Sequence, residues 1–107
     1  MKIAIPSMGK NQESFVSNNF GRSPFIIIYN DETKKYSYFE NIGFKLKDGS
    51  GLKAAEIIIR NNADILLTRE IGRKAYSVLM KEHIIIHLLN LSGTVKSSLK
   101  KYLKKRK

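Results

Sequence analysis

The feature that most constrains the fold is a continuous apolar run, Phe-Ile-Ile-Ile-Tyr, at residues 25–29. β-Branched and aromatic residues in a run of this length predict a strand over residues 25–30. Because the run does not alternate with polar residues, both faces of the strand are expected to be buried, which gives it a central position. A polar turn at residues 31–34 and an alternating strand at residues 35–41 complete an antiparallel hairpin.

The other elements follow from strand and helix signals along the chain. Three further strands are predicted at residues 2–6, 64–68 and 84–89, and three helices at residues 51–62, 72–82 and from 92–94 onward. Ser50 is expected to cap the first helix, and a glycine-rich loop at residues 43–51 precedes it. Phe15 and Val16 are expected to pin the polar loop at residues 7–17 to the core.

The predicted element order is β-β-β-α-β-α-β-α. Strand–helix–strand crossovers in the second half imply parallel neighbours with right-handed connections, whereas the hairpin makes the sheet mixed. The expected architecture is therefore an α/β fold, a three-layer α/β/α sandwich. With 107 residues, the chain is expected to form a single domain over residues 1–107.

Composition limits the classes of function. The sequence contains no cysteine, which excludes disulfides, thiolate metal sites and cysteine nucleophiles and fits a reducing compartment. No apolar run approaches the roughly 20 residues of a membrane span. The apolar start ends at Pro6, too early for a signal peptide, so we expect a cytoplasmic protein with no membrane partner.

The formal net charge is +11, and much of it lies near the end of the chain. The last dozen residues contain seven basic side chains: Lys96, Lys100, Lys101, Lys104, Lys105, Arg106 and Lys107. A basic tail at about residues 100–107 favours nucleic acid or an acidic protein as partner. The same pattern is also typical of a solvated helix end, so both interpretations stand.

Four loops are expected to meet at one edge of the sheet: residues 7–10, 18–22, 49–51 and 68–72, together called the loop edge. Crossover connections bring the carboxyl ends of strands one, four and five to this edge, and strand two begins there. Ligands of open α/β sheets bind outside the carboxyl ends of strands. Helix starts at such an edge offer free N–H groups and a positive dipole, which suit an anion.

The loop edge supplies the candidate binding residues. They are Ser7, Asn18, Asn19, Phe20, Gly21, Arg22, Thr68, Arg69, Glu70 and Gly72. Two arginines among them, Arg22 and Arg69, could clamp a carboxylate or phosphate, and Glu70 could orient an arginine or act as a base. The alternative is structural: Phe20 in the core, Arg22 in solvent, and Thr68 and Glu70 capping the next helix.

Catalytic and metal motifs are not recognised in the sequence. His83 and His87 are four residues apart but span a helix end and a strand, so they do not share one helical face. Residues 49–51 match neither a Walker loop nor a dinucleotide fingerprint. We therefore expect a noncatalytic protein without a protein-ligated metal; a hydrolase using Glu70 is the least favoured hypothesis.

Several motifs together resemble the dinitrogenase iron–molybdenum cofactor biosynthesis family, the NifX/NafY-like domain also found at the end of NifB. They lie in family order at residues 1–7, 19–25, 40–41, 49–51, 54–56, 64 and 68–75. The resemblance implies a ribonuclease H-like fold with sheet order 3-2-1-4-5 and strand 2 antiparallel. It also implies a small noncatalytic carrier or chaperone of iron–molybdenum cofactor or iron–sulfur cluster precursors.

The resemblance further implies a metal-cluster donor or acceptor protein as partner, with the chain acting as a monomer or weak homodimer. In many members a histidine precedes the Phe-Gly-Arg motif, whereas this chain has Asn19. An amide is a poor ligand for iron or molybdenum. A basic adaptor acting through the lysine-rich end is the alternative function.

Overall fold

The computed structural model describes residues 1–46 and 48–105. Five strands form one sheet in the order β3-β2-β1-β4-β5. The strands are β1 (Lys2–Ser7), β2 (Phe25–Asn30), β3 (Lys35–Glu40), β4 (Ile65–Thr68) and β5 (Ile85–Leu88). Strand β2 is antiparallel to both β1 and β3, whereas β1, β4 and β5 are parallel. The predicted mixed sheet, its order and its antiparallel second strand are confirmed.

Helices cover both faces of the sheet. They are α1 (Ser50–Arg60), α2 (Arg73–Lys81) and α3 (Val95–Lys105), and a short 3-10 turn occupies Ile42–Lys45. Ala4 points into a core with α1 and α2, whereas its neighbours Ile3 and Ile5 point into a second core with α3. Alternation along β1 thus builds two cores, one on each side of the sheet. The predicted three-layer sandwich is confirmed.

Two local predictions are wrong. Ser50 is the first residue of α1 and not its cap, because Gly49 takes a left-handed conformation (φ +79°) that turns the chain into the helix one residue earlier. Phe15 does not pin its loop to the core; its side chain is 67% exposed, although Val16 is buried. Val16 bridges to Ser7 and Phe15 to Thr94 in an extended segment, where neighbouring side chains point to opposite sides.

The described part of the basic tail is the last turn and a half of α3. Val95 and Leu99 are buried, and Tyr102 and Leu103 pack against the same core, so these four side chains form the inner face of the helix. Lysines occupy the exposed side of the helix. Arg106 and Lys107 lie outside the described residues. Among the described helices, none is long and apolar enough to cross a membrane.

Candidate functional site

The sheet brings the end of β1 and the start of β2 to the same edge, because Ser7 pairs with Phe25. Ser7 is fully buried, and its hydroxyl donates to the carbonyl of Gly9 at 2.7 Å and accepts from the Gly9 N–H at 3.2 Å. Both hydrogen bonds are local. Ser7 therefore shapes the turn at residues 7–10.

Phe20 anchors the loop at residues 18–22. Its side chain is completely buried in the core shared with α1 and α2. This agrees with the alternative prediction that Phe20 has a structural role in the core. Hydrogen bonds close the loop around it: the Ser23 hydroxyl donates to the Phe20 carbonyl at 2.8 Å, and Ser17 donates to the Asn19 carbonyl at 3.1 Å. The side-chain oxygen of Asn19 accepts from the Arg22 N–H at 3.0 Å. Asn19, in the position of the family histidine, thus stabilises the turn.

Asn41 stabilises this loop through buried hydrogen bonds, a role that the sequence did not indicate. It is fully buried, and its amide donates to the carbonyls of Gly21 at 3.2 Å and Ser23 at 2.8 Å. Its oxygen accepts from the Gly43 N–H at 3.2 Å. Residues 40–41 belong to the family motifs, but the local sequence does not predict that Asn41 is buried, because its burial depends on a loop 20 residues earlier.

Gly21 brings the loop against the start of α1. A Cβ atom at Gly21 would lie 2.8 Å from the backbone nitrogen of Gly51 and 2.9 Å from the Ser50 hydroxyl. A Cβ at Gly51 would in turn lie 3.3 Å from the Ala75 side chain on α2. The two glycines therefore allow the loop, α1 and α2 to approach closely.

Arg69 joins the second half of the loop edge to the first. Its Nη1 donates to the side-chain oxygen of Asn18 at 2.9 Å, across 51 residues of sequence. Both side chains are exposed. The prediction that the loops at residues 18–22 and 68–72 meet is confirmed by this hydrogen bond.

The remaining candidates have separate roles. The guanidinium of Arg22 donates to the Leu46 carbonyl, whereas that of Arg69 donates to Asn18. The two arginines therefore do not share a partner. Thr68 is buried and its hydroxyl donates to the Glu70 carbonyl at 3.1 Å. The capping residue of α2 is Gly72, without a side-chain hydrogen bond. The alternative that Thr68 and Glu70 cap α2 is therefore wrong.

Two helix starts and two exposed arginines supply positive charge at this edge. Neither α1 nor α2 has a side-chain cap or an acidic residue in its first turn. The dipoles of both helices therefore add to the charges of exposed Arg69 and Arg73. Asp48 and Glu70 are the exposed acids next to the two helix starts. An arrangement of N–H donors and cations of this kind can bind an anion.

The donors at this edge suit hydrogen bonding to a ligand more than metal ligation. Among the residues that the structure describes, no group of three or more His, Cys, Asp or Glu could hold a metal ion. His87 lies on β5 with its ring 5.4 Å from that of Tyr102 on α3, and His83 follows α2. Neither histidine belongs to the loop edge.

The fold defines a small α/β/α domain in which four loops meet at one edge of the sheet. Residues 1–105 match the model of the dinitrogenase iron–molybdenum cofactor family, and the chain belongs to this family. The family resemblance in the sequence is thereby confirmed.

Solved structures support the same assignment. The apo form of the orange protein from Desulfovibrio gigas is 27% identical with a TM-score of 0.87, over 98% of this chain and 88% of that one. A protein from Thermotoga, proposed to be a NifB protein, is 28% identical with a TM-score of 0.85, over 98% and 89% of the two chains. No curated protein sequence gave a match.

Proposed function

We propose that this protein is a noncatalytic carrier that holds an anionic metal–sulfur precursor of the family's cofactor at the loop edge. The cargo is bound by hydrogen bonds and charge, without covalent ligation to the protein. A cluster donor or acceptor protein in the cytoplasm would load or receive it. Family membership supports the class of cargo, and the chemistry of the loop edge supports the mode of binding.

The observation that carries the proposal is the Arg69–Asn18 hydrogen bond at 2.9 Å. A guanidinium has five N–H donors, and this bond uses one of them. Among the described residues Arg69 has no other hydrogen-bond partner, so the rest of its donors face solvent beside the start of α2. An exposed guanidinium next to uncapped helix N–H groups favours an anionic cargo.

The same residues argue against ligation of the metal by the protein. Asn19 uses its side-chain oxygen in the turn, and an amide is a poor ligand for iron or molybdenum. Thiolate ligation is excluded because the sequence has no cysteine. The sulfide atoms of a precursor would instead accept hydrogen bonds from the N–H groups of the loop edge.

The test is anaerobic incubation with ferrous iron, sulfide and tetrathiomolybdate, followed by gel filtration and metal analysis of the protein fraction. We expect stoichiometric retention of metal by the unchanged protein. Arg69→Gln is expected to weaken retention about tenfold or more, because it removes a charge-assisted hydrogen bond. Arg60→Gln is the matched control, because Arg60 lies at the far end of α1 and pairs with Glu56.

Two outcomes contradict the proposal. One is that the unchanged protein elutes without metal. The other is that Arg69→Gln retains as much metal as Arg60→Gln, which would place the cargo elsewhere on the molecule.

A second candidate function, a basic adaptor for nucleic acid, is favoured by the exposed lysines of α3. Removal of residues 100–107 does not test it, because Tyr102 and Leu103 pack against the core. Substitution of Lys100 and Lys104 by Gln keeps the helix intact. If the adaptor hypothesis holds, this pair lowers affinity for single-stranded RNA and reduces the salt dependence of binding.

A further inference from the structure

A groove of about 570 Å³ lies between β5 and α3, apart from the loop edge residues. His87, Leu89 and Leu91 line one side of it, and Tyr102, Lys101 and Lys105 of α3 line the other. The volume is that of a small-molecule site, for which roughly 300–1,000 Å³ is usual.

The groove exists because α3 packs over the middle of this face of the sheet and leaves its β5 edge partly open. The buried apolar residues of α3, Val95 and Leu99, pack with side chains of β1 and β4 such as Ile5 and Leu67. β5 is the edge strand beyond β4, so the α3 face of β5 is only partly covered. His87 therefore remains half-buried and forms the floor of an open groove.

The groove combines an aromatic wall with a cationic rim. The rings of His87 and Tyr102 lie 5.4 Å apart at an angle of 53°, which leaves a corner of two aromatic surfaces. Lys101 and Lys105 are exposed and one helical turn apart, so both ammonium groups can reach the same point. Neither lysine forms an ion pair with another described residue, and none of the lining residues is acidic.

These features select the occupant by charge and shape. An aromatic ring gains stacking and edge contacts against His87 and Tyr102, and a carboxylate or phosphate on that ring accepts charge-assisted hydrogen bonds from the two lysines. A second copy of the chain is disfavoured, because each copy carries a formal charge of +11. We propose that this groove is a separate binding site for a small planar organic anion.

The test is a titration of the ¹⁵N-labelled protein with 2-naphthoate, followed by NMR. We expect saturable shifts centred on His87, Leu89 and Tyr102. The uncharged 2-naphthamide, which has the same ring system, is expected to bind about tenfold more weakly, because it lacks the charge-assisted hydrogen bonds.

Two double variants with the same loss of charge locate the anion. Lys101→Gln with Lys105→Gln is expected to weaken naphthoate binding about tenfold. Lys100→Gln with Lys104→Gln changes the same helix at the same spacing but leaves the groove residues in place, and is expected to change affinity less than threefold. The NMR spectra of both variants show directly whether the fold is kept.

Four outcomes overturn the proposal. They are equal affinity for naphthoate and naphthamide, equal loss in the two double variants, shifts centred on the loop edge, and no saturable shifts at millimolar naphthoate. If an acidic, apolar peptide saturates the groove where naphthoate does not, the site belongs to a protein partner and the small-molecule proposal is wrong.

Discussion

At the residue scale, the loop edge depends on side chains that no ligand touches. Phe20 fills the core beneath the loop, and the side-chain amide of Asn41 donates hydrogen bonds to the carbonyls of Gly21 and Ser23. A buried amide with all its hydrogen-bonding groups paired stabilises one loop conformation, because any other conformation leaves polar groups unpaired. Asn18, and Arg69 through its hydrogen bond to Asn18, are thus presented from a base of buried contacts, which favours binding.

Two glycines of the loop edge, Gly21 and Gly72, give a prediction about this base. Gly21→Ala is expected to destabilise the protein by about 1–3 kcal/mol, because its Cβ would meet the backbone nitrogen of Gly51 at 2.8 Å. Gly72→Ala is the control, since nothing lies within 4 Å of its Cβ and its φ is −72°. We expect the control to change stability by less than about 1 kcal/mol. Urea unfolding followed by circular dichroism measures both.

Equal unfolding free energies for the two variants would contradict this contact. They would mean that the loop at residues 18–22 can move away from α1 at little cost. The carrier proposal would then lack its rigid base, although Arg69 would keep its charge.

At the element scale, the sequence predicts most of the fold and less of the site. The apolar run of β2 and the crossovers after it predict a mixed sheet with β2 in its interior, and the family resemblance supplies the sheet order. The loop edge follows from that order. The roles of its residues do not, because Asn41 and Gly21 act on loops about 20 or 30 residues away. Periodicity carries no information about such contacts.

Three neighbouring tyrosines on the β2–β3 hairpin affect the pKa of the middle one, Tyr36. Tyr36 lies 4.8 Å from Tyr29 and 6.5 Å from Tyr38 between ring centroids. Burial raises the pKa of Tyr36 above its ordinary value of 10.0, and the negative charges that Tyr29, Tyr38 and Glu13 carry at high pH raise it further. The unfolded chain therefore loses this proton at a lower pH than the folded protein does.

The sign of the pH dependence follows from linkage. Below pH 10 both states keep the proton, and the stabilisation is fully present. Between the pKa of the unfolded chain and the higher pKa of the folded protein, stability falls as pH rises. Tyr36→Phe is expected to reduce this loss of stability at high pH. The measurement is the urea concentration at the unfolding midpoint, determined between about pH 9 and 11. If Tyr38→Phe and Tyr36→Phe lose the same stability between these pH values, the effect belongs to the hairpin as a whole and not to Tyr36.

At the scale of the whole molecule, the excess of positive charge opposes compactness. The formal net charge is +11 on a body of 37 × 27 × 24 Å. In 0.01 M salt the screening length is about 30 Å, so charges interact across most of the molecule, whereas at 0.1 M it is about 10 Å. Repulsion is strongest along α3, because Lys96, Lys100 and Lys104 follow one another at one-turn spacing. Among the described ion pairs, only Lys96 of these three has an acidic partner, Glu13 at 3.9 Å.

Raising NaCl from 0.01 M to 0.1 M is therefore expected to raise the melting temperature by about 4–8 °C, the equivalent of roughly 1 kcal/mol in a domain of this size. Lys100→Glu replaces two repulsions on α3 by two attractions, so this variant is expected to melt higher in low salt and to gain less from added salt. A melting temperature independent of salt would mean that repulsion is negligible in the folded state.

Sodium sulfate at matched ionic strength separates screening from binding. Equal gains in melting temperature with the two salts indicate screening, whereas a larger gain with sulfate that Arg69→Gln abolishes indicates an anion held at the loop edge. The second result would connect the charge of the whole molecule to its proposed site, because the same excess of positive charge that weakens the fold would draw the cargo to it.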